Sequence, residues 1–259
     1  MAINLEAMRA KLNASKTGGK PSGSKSTMWK PKSGDQHIRI LPTADGDPFR
    51  EFHFHYNVGK NPGIYCNKRN DGGECPICDF ASKLWRDGVE SDDQNLKNEA
   101  KKLFARKRYY SPVLVRGSED EGVKIWAYGK TAYETLLGYV LDPDYGDITD
   151  VKAGRDIVVE FTPAEGAGQY PKTAIRVKPN QTAATTDSNV ATKIVEGQKD
   201  IYEIFRKNSY DDLKNVLEEW LNPEGEVEQV QETATATTTG VKSTGDIESA
   251  FDDLFNDEN

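Results

Sequence analysis

Long apolar runs are missing from this chain of 259 residues. No stretch approaches the roughly 20 consecutive apolar residues of a membrane-spanning helix, so none is expected. The opening Met1-Ala2-Ile3-Asn4-Leu5-Glu6 lacks the charged-then-apolar order of a secretory signal. Cysteine is scarce: there are three, an odd count, and two of them form C-x-x-C. A disulfide framework favours an even count in a short secreted chain. A reducing, cytoplasmic setting that leaves thiolates free to hold metal fits better. Apolar side chains are also thin, at 36% against 29% charged, with a mean hydropathy of -0.73. That is polar for one compact domain and predicts that part of the chain does not pack.

An excess of positive charge is lacking too. Lys and Arg number 34 against 42 Asp and Glu, a net charge of -8. Taken alone this argues against nucleic acid, which calls for a basic footprint. The charge is unevenly spread, however. In residues 1–33, Arg9, Lys11, Lys16, Lys20, Lys25, Lys30 and Lys32 face a single acid, Glu6. Leu5 to Leu12 has the spacing of a short amphipathic helix, and the Gly and Ser of 18–24 read as a linker. This stretch is a basic, flexible N-terminal arm. From 223 to 259 the chain turns to Thr, Ala, Gln, Glu and Asp, which reads as a disordered acidic tail. It ends in carboxylates around the apolar anchors Ile247, Phe251, Leu254 and Phe255, a pattern that suits interaction with a partner.

Between arm and tail, residues 34–222 read as a β-rich α+β core. Order is expected from about Gln36, where His37 to Leu41 alternates like a strand and stops at Pro42. Phe49 to Tyr56 alternates again, with Phe52 and Phe54 on one face and His53 and His55 on the other. Strands are expected at 110–115, 123–128, 156–161 and 173–178, the last two joined by a Gly-rich turn. Helices are expected from Phe80, at 95–104, at 131–141 and over the whole of 201–221.

Within the core, about 50–100 forms a small metal-binding subdomain. Cys66 is followed eight residues on by Cys75-Pro76-Ile77-Cys78. A C-x-x-C knuckle grips one ion from a single turn, and a third thiolate with one imidazole completes the closed tetrahedron of a structural Cys3His zinc site. Gly72 and Gly73 give the loop freedom. The competing reading, a redox C-x-x-C, lacks its usual strand–turn–helix setting. Both His53 and His55 lie on one strand face, so alternation leaves the fourth ligand open, and His37 is remote. A deaminase would need His-x-Glu before Pro-Cys-x-x-Cys. Here the run is His53-Phe54-His55, and four protein ligands leave no position for water. Asp142, Asp144, Asp147 and Asp150 cluster in a turn-rich stretch without the partner motif of a nuclease, and read as a solvated loop.

The second signal is Arg106-Lys107-Arg108-Tyr109-Tyr110, with Lys101 and Lys102 upstream and Trp126 and Tyr128 on the next strand. Cations for phosphates and flat rings for bases are what a single-strand binder needs. Packing and solvated faces are the bland readings of the same residues. A protein-only zinc-ribbon adaptor is the alternative for the whole chain.

These residues carry a resemblance. Ile38-Arg39-Ile40-Leu41-Pro42, Pro48-Phe49, Tyr65-Cys66, Cys75-Pro76-Ile77-Cys78, Ser82-Lys83, the stretch Arg106 to Val115 and the ending Asp252-Asp253-Leu254-Phe255-Asn256-Asp257 are similar to the single-stranded DNA-binding (helix-destabilising) proteins of T-even-like phages. The resemblance implies an OB-fold core with a zinc subdomain, no enzymatic activity, and coating of single-stranded DNA in phage replication, recombination and repair. It implies self-association along DNA, and a tail that meets replication proteins and competes for the DNA groove. It places the zinc on His55, Cys66, Cys75 and Cys78. It places DNA contacts on Arg106, Lys107, Arg108, Tyr109, Tyr110, Trp126 and Trp85. Departures from the pattern are an arm whose nearest match is Lys25-Ser26-Thr27, Gly72 in place of an aromatic, and no aromatic in 181–190.

Overall fold

The computed structural model describes residues 27–60, 62–166, 170–185, 200–205 and 207–222, with single positions at 194, 198, 247, 250, 251, 254 and 255. The expected helix at 5–12, the linker at 18–24 and the stretch 224–240 lie outside the described residues.

The chain is a sheet-rich α+β protein. Its strands are β1 (Met28–Trp29), β2 (Gly34–Ile40), β3 (Arg50–His55), β4 (Ile64–Tyr65), β5 (Arg106–Val115), β6 (Lys124–Tyr128), β7 (Arg155–Thr162) and β8 (Lys172–Gln181). Its helices are α1 (Asn67–Asp71), α2 (Pro76–Glu90), α3 (Gln94–Leu103), α4 (Lys130–Leu141) and α5 (Tyr210–Leu221). The sheet runs β1-β6-β5-β2-β7-β8, and β3 joins it by pairing with β5 and β4. β1 is parallel to β6, with Trp29 opposite Trp126. The other pairings are antiparallel.

β5 is the spine. Its first half, Arg106 to Tyr110, pairs with β3, and its second half, Val113 to Val115, pairs with β2. Pro112, which has no N–H to give, sits at the changeover. Its carbonyl accepts from the Leu41 amide at 2.9 Å, where the chain leaves β2. Alternation along β5 and β6 sends side chains to opposite faces. One face buries Tyr109, Val113, Trp126 and Tyr128 with Ile38, Ile40, Ile157, Val159, Val177 and Leu136 of α4. The other buries Tyr110 and Ile125 with Phe52, Phe54, Tyr65 and Ile201. A third cluster is helical and joins α2, α3 and α5 around the three cysteines.

Two charged side chains fasten β2 and β5 to β7. Arg39, wholly buried, and Arg116 both reach Asp156 Oδ1, at 2.9 and 2.8 Å. Arg39 also donates to Thr182 Oγ1 at 2.6 Å. Burial lowers the Arg39 pKa, with Asp156 opposing it. For Asp156 burial works upward, but the Arg116 hydrogen bond and the Arg39 charge outweigh it and hold the carboxyl below its ordinary range. At the entry to β7, Gly154 is required by space: a Cβ there would stand 2.3 Å from the Asp150 carbonyl oxygen.

Order begins earlier than alternation indicates. β1 lies eight residues before Gln36 and is too short for a periodic signal. The expected helix over 201–221 is two pieces: a 3-10 turn at Ile201–Ile204, then α5. The break is chemical, because the Ser209 hydroxyl accepts from the Asp212 amide and Asp212 accepts back, a capping box that starts a new helix. α2 starts at Pro76 rather than Phe80, with the proline in the first turn, where its missing N–H costs nothing. The Asp cluster is a stapled turn. Asp147 accepts from the Thr149 amide and hydroxyl, and Asp150 accepts from the Lys152 and Ala153 amides.

Candidate metal centre and nucleic-acid interface

β3 and the start of α2 bring four ligand atoms together. His55, Cys66, Cys75 and Cys78 are all buried, with their donor atoms within 4.8 Å of one another. Cys66 Sγ lies 3.4 Å from Cys78 Sγ, and His55 Nε2 lies 3.4 Å from Cys75 Sγ and 3.6 Å from Cys78 Sγ. A tetrahedron with metal–sulfur bonds of about 2.3 Å has edges of about 3.5–3.8 Å, so the set fits one ion. His55 Nδ1 is 2.7 Å from the Leu103 carbonyl oxygen. That acceptor fixes the proton on Nδ1 and leaves Nε2 facing the sulfurs, the outer-shell arrangement of a ligating histidine. His53 lies outside the cluster, with its Nε2 3.9 Å from Glu51. Among the described residues this is the one such group of His, Cys, Asp and Glu.

The local chain explains the gathering. Cys66 caps α1, accepting from the Arg69 amide at 3.4 Å, and Gly72 ends α1 in the left-handed region at φ 72°. The loop then returns Cys75 to the N-terminus of α2. With no ion between them, the four groups hold protons that a metal would displace. Burial opposes charge on His55, yet hydrogen bonds to Cys66 and Cys75 outweigh it and push its pKa up to about 9. Cys66 is pulled down by hydrogen bonds from Cys75 and Cys78, while Cys78 is pushed up by its bonds to Cys66 and Cys75. Three crowded thiols cannot all ionise without a cation among them.

The basic strand end leads to a groove of about 720 Å³ lined by Met28, Trp29, Lys30, Arg108, Trp126, Tyr128, Phe161 and Lys172 among others. Trp29 stands edge-on to Trp126, with centroids 5.8 Å apart, and Trp126 meets Tyr128 at 4.4 Å. The rim is basic through Lys30, Arg108 and Lys172, and Trp29 and Phe161 are half-buried.

The expected DNA-contacting residues fall in several environments. Arg106 and Lys107 are exposed and Arg108 is half-buried. Lys107 pairs with Glu51 at 2.6 Å. Trp126 is 1% exposed and forms the groove floor. Tyr109 stacks flat on Tyr133 of α4, with centroids 3.8 Å apart and planes 8° apart. Tyr110 lies on the far face, edge-on to Phe52 and Phe205. Trp85 is 37% exposed on α2, with the Lys101 ammonium 5.7 Å from its ring. It stands apart from the groove lining. Trp29, Phe161 and Lys172 were not singled out from sequence. The only local signal was Lys30 next to Trp29, too common a pairing to stand out, and Phe161 lies between Glu160 and Thr162 with no such neighbour.

Fold and site together define a sheet-rich α+β protein with a closed thiolate–imidazole centre and a basic, aromatic groove. The model of the gp32 DNA-binding-protein-like family matches residues 32–221, and the chain belongs to that family. It is thereby a gp32-like single-stranded DNA-binding protein of the T4-like phage type. Among curated proteins none matches the chain.

Proposed function

We propose that the protein coats single-stranded DNA with little sequence preference during phage DNA replication, recombination and repair, without catalysing a reaction. The observation that carries this reading is the groove, where aromatic rings and three cations face one channel. Arg106, Lys107 and Arg108, with Lys30 and Lys172, neutralise phosphates. Bases stack against the half-buried rings of Trp29 and Phe161, with buried Trp126 as the floor that supports Trp29. Tyr109 backs that system from within the core, and Tyr110 serves the opposite face with Tyr56 and Phe205. Stacking contributes about 1–3 kcal/mol per base whatever the base. Binding the single strand and not the duplex melts duplex by mass action.

The groove supports reading the sheet as an OB-type core over 34–222, with 1–33 as a basic arm and 223–259 as an acidic tail. The four-ligand set supports one structural zinc, held by His55, Cys66, Cys75 and Cys78. Zinc would supply the crosslink that fixes the subdomain of about 50–100. The protein self-associates along DNA, the tail meets replication and recombination proteins, and Trp85 with Lys101 adds a contact from the metal subdomain. The site of action is the host cytoplasm. In keeping with this, no helix among the described residues is long and apolar enough to cross a membrane. Binding of oligo(dT) by Trp29→Ala and Lys172→Ala variants tests the assignment. Both should weaken binding while the metal stays bound, and unchanged affinity in both would move the DNA elsewhere.

A further inference from the structure

The C-terminal segment carries apolar residues at Ile247, Ala250, Phe251, Leu254 and Phe255, spaced i, i+3, i+4, i+7 and i+8. That spacing makes one helical stripe, and all five positions have helical backbone. The stripe is covered. Ala250 is 3% exposed and Phe251 8%. Phe251 stands edge-on to Phe80 of α2, with centroids 5.7 Å apart, and tilts against Phe255 at 4.7 Å. The Lys214 ammonium of α5 lies 5.4 Å from the Phe255 ring centre. Ile247, Leu254 and Phe255 join the apolar cluster that holds Leu213, Leu217, Trp220 and the three cysteines.

We propose that the face of the metal subdomain formed by α2 and α5 is a docking site for the apolar stripe of an amphipathic helix, and that the chain's own segment 247–255 is its resident occupant. Two observations select this occupant. The contact with Phe80 is made by a residue of this same chain. The second is the Lys214 ammonium of α5 over the Phe255 ring of the same segment; α5 is otherwise acidic through Asp211, Asp212, Glu218 and Glu219, so apolar burial and this one contact hold the segment, not charge matching. The apolar anchors then belong to the metal subdomain, not to the DNA groove. A protein that binds the tail through Phe251 and Phe255 must first lift them off α2 and α5. Because the cysteines share the cluster, the receptor face depends on the metal centre being intact.

Hydrogen–deuterium exchange on the full-length protein tests this, comparing wild type with Phe251→Asp and with Phe255→Ser. Wild type should protect the amides of 247–255 at both low and high salt, since apolar docking is not screened. Phe251→Asp should speed exchange in that segment by about tenfold or more, and also raise exchange in α5, while metal content and oligo(dT) affinity hold. Phe255→Ser should do the same more weakly. Three results overturn the proposal. Exchange in 247–255 that is already fast in wild type removes the docked state. Protection lost on adding oligo(dT) or salt moves the tail to the DNA groove. Protection that grows with protein concentration makes the occupant a second copy.

Discussion

Tyr109 and Tyr110, neighbours in β5, are buried on opposite faces of the sheet, one against Tyr133 and Tyr128 and the other against Phe52, Phe54 and Phe205. A single strand of DNA passing one face meets one ring and not both. The pair therefore acts first as packing. Tyr109→Ala and Tyr110→Ala should each destabilise the fold by about 3–5 kcal/mol, the usual range for truncating a buried aromatic. Denaturant unfolding measures it. Tyr110→Phe should be nearly neutral for stability, and Tyr109→Phe likewise. A Tyr→Ala variant that kept full stability but lost DNA binding would place that ring on the DNA.

Metal removal should dismantle the helical subdomain before the sheet. Elemental analysis should find one zinc per chain, and a chelator should abolish the packing of α2 against α3 and α5 seen by near-ultraviolet dichroism. Cys75→Ser should lose the metal and lower the melting temperature, because binding energy at a structural site is folding energy, of order 10 kcal/mol in small domains. His53→Ala should keep its metal, since that ring stands outside the cluster.

Acid stability should depend on Asp156. Its pKa is depressed in the fold, so its contribution is fully present above the unfolded value of about 3.9. That contribution is lost as pH falls through the lower folded value. Asp156→Ala should remove this acid-dependent component and leave buried Arg39 unpaired, a loss of about 3–5 kcal/mol at neutral pH. Thermal melts from pH 7 to pH 2 would show it as a flatter pH profile for the variant.

The rim cations should set the salt response. For single strands the slope of log affinity against log salt falls by about 0.7 for each phosphate contact removed. Arg108→Ala and Lys172→Ala should each reduce the slope by about that amount, with no preference among base sequences. Trp29→Ala should cost about 1–3 kcal/mol at all salt concentrations.

The sequence exposed the chemistry better than the geometry. The spacing from Cys66 to Cys78 named three ligands because ligand type and turn length are local properties. Alternation left the histidine open and the family resemblance chose His55, and the fold puts His55, not His53, beside Leu103 and the sulfurs. The β7–β8 hairpin was legible from alternation, whereas β1 was not, since a two-residue parallel strand exists only because β6 offers it an edge. The break at 205–209 was written in Ser209 and Asp212 but hidden by apolar spacing that continues across it. The groove joins Trp29 to Lys172, residues 143 positions apart (172 − 29), and no local pattern reports such a meeting.

The most direct test is a fluorescence titration of the full-length protein with oligo(dT) and with duplex of equal length, at low and high salt. Trp29 and Trp126 meet in the groove, so single-stranded DNA should quench tryptophan emission strongly at low salt and weakly at high salt, and duplex should quench little. Equal response to both forms, or none to either, would contradict a stacking groove for single-stranded DNA.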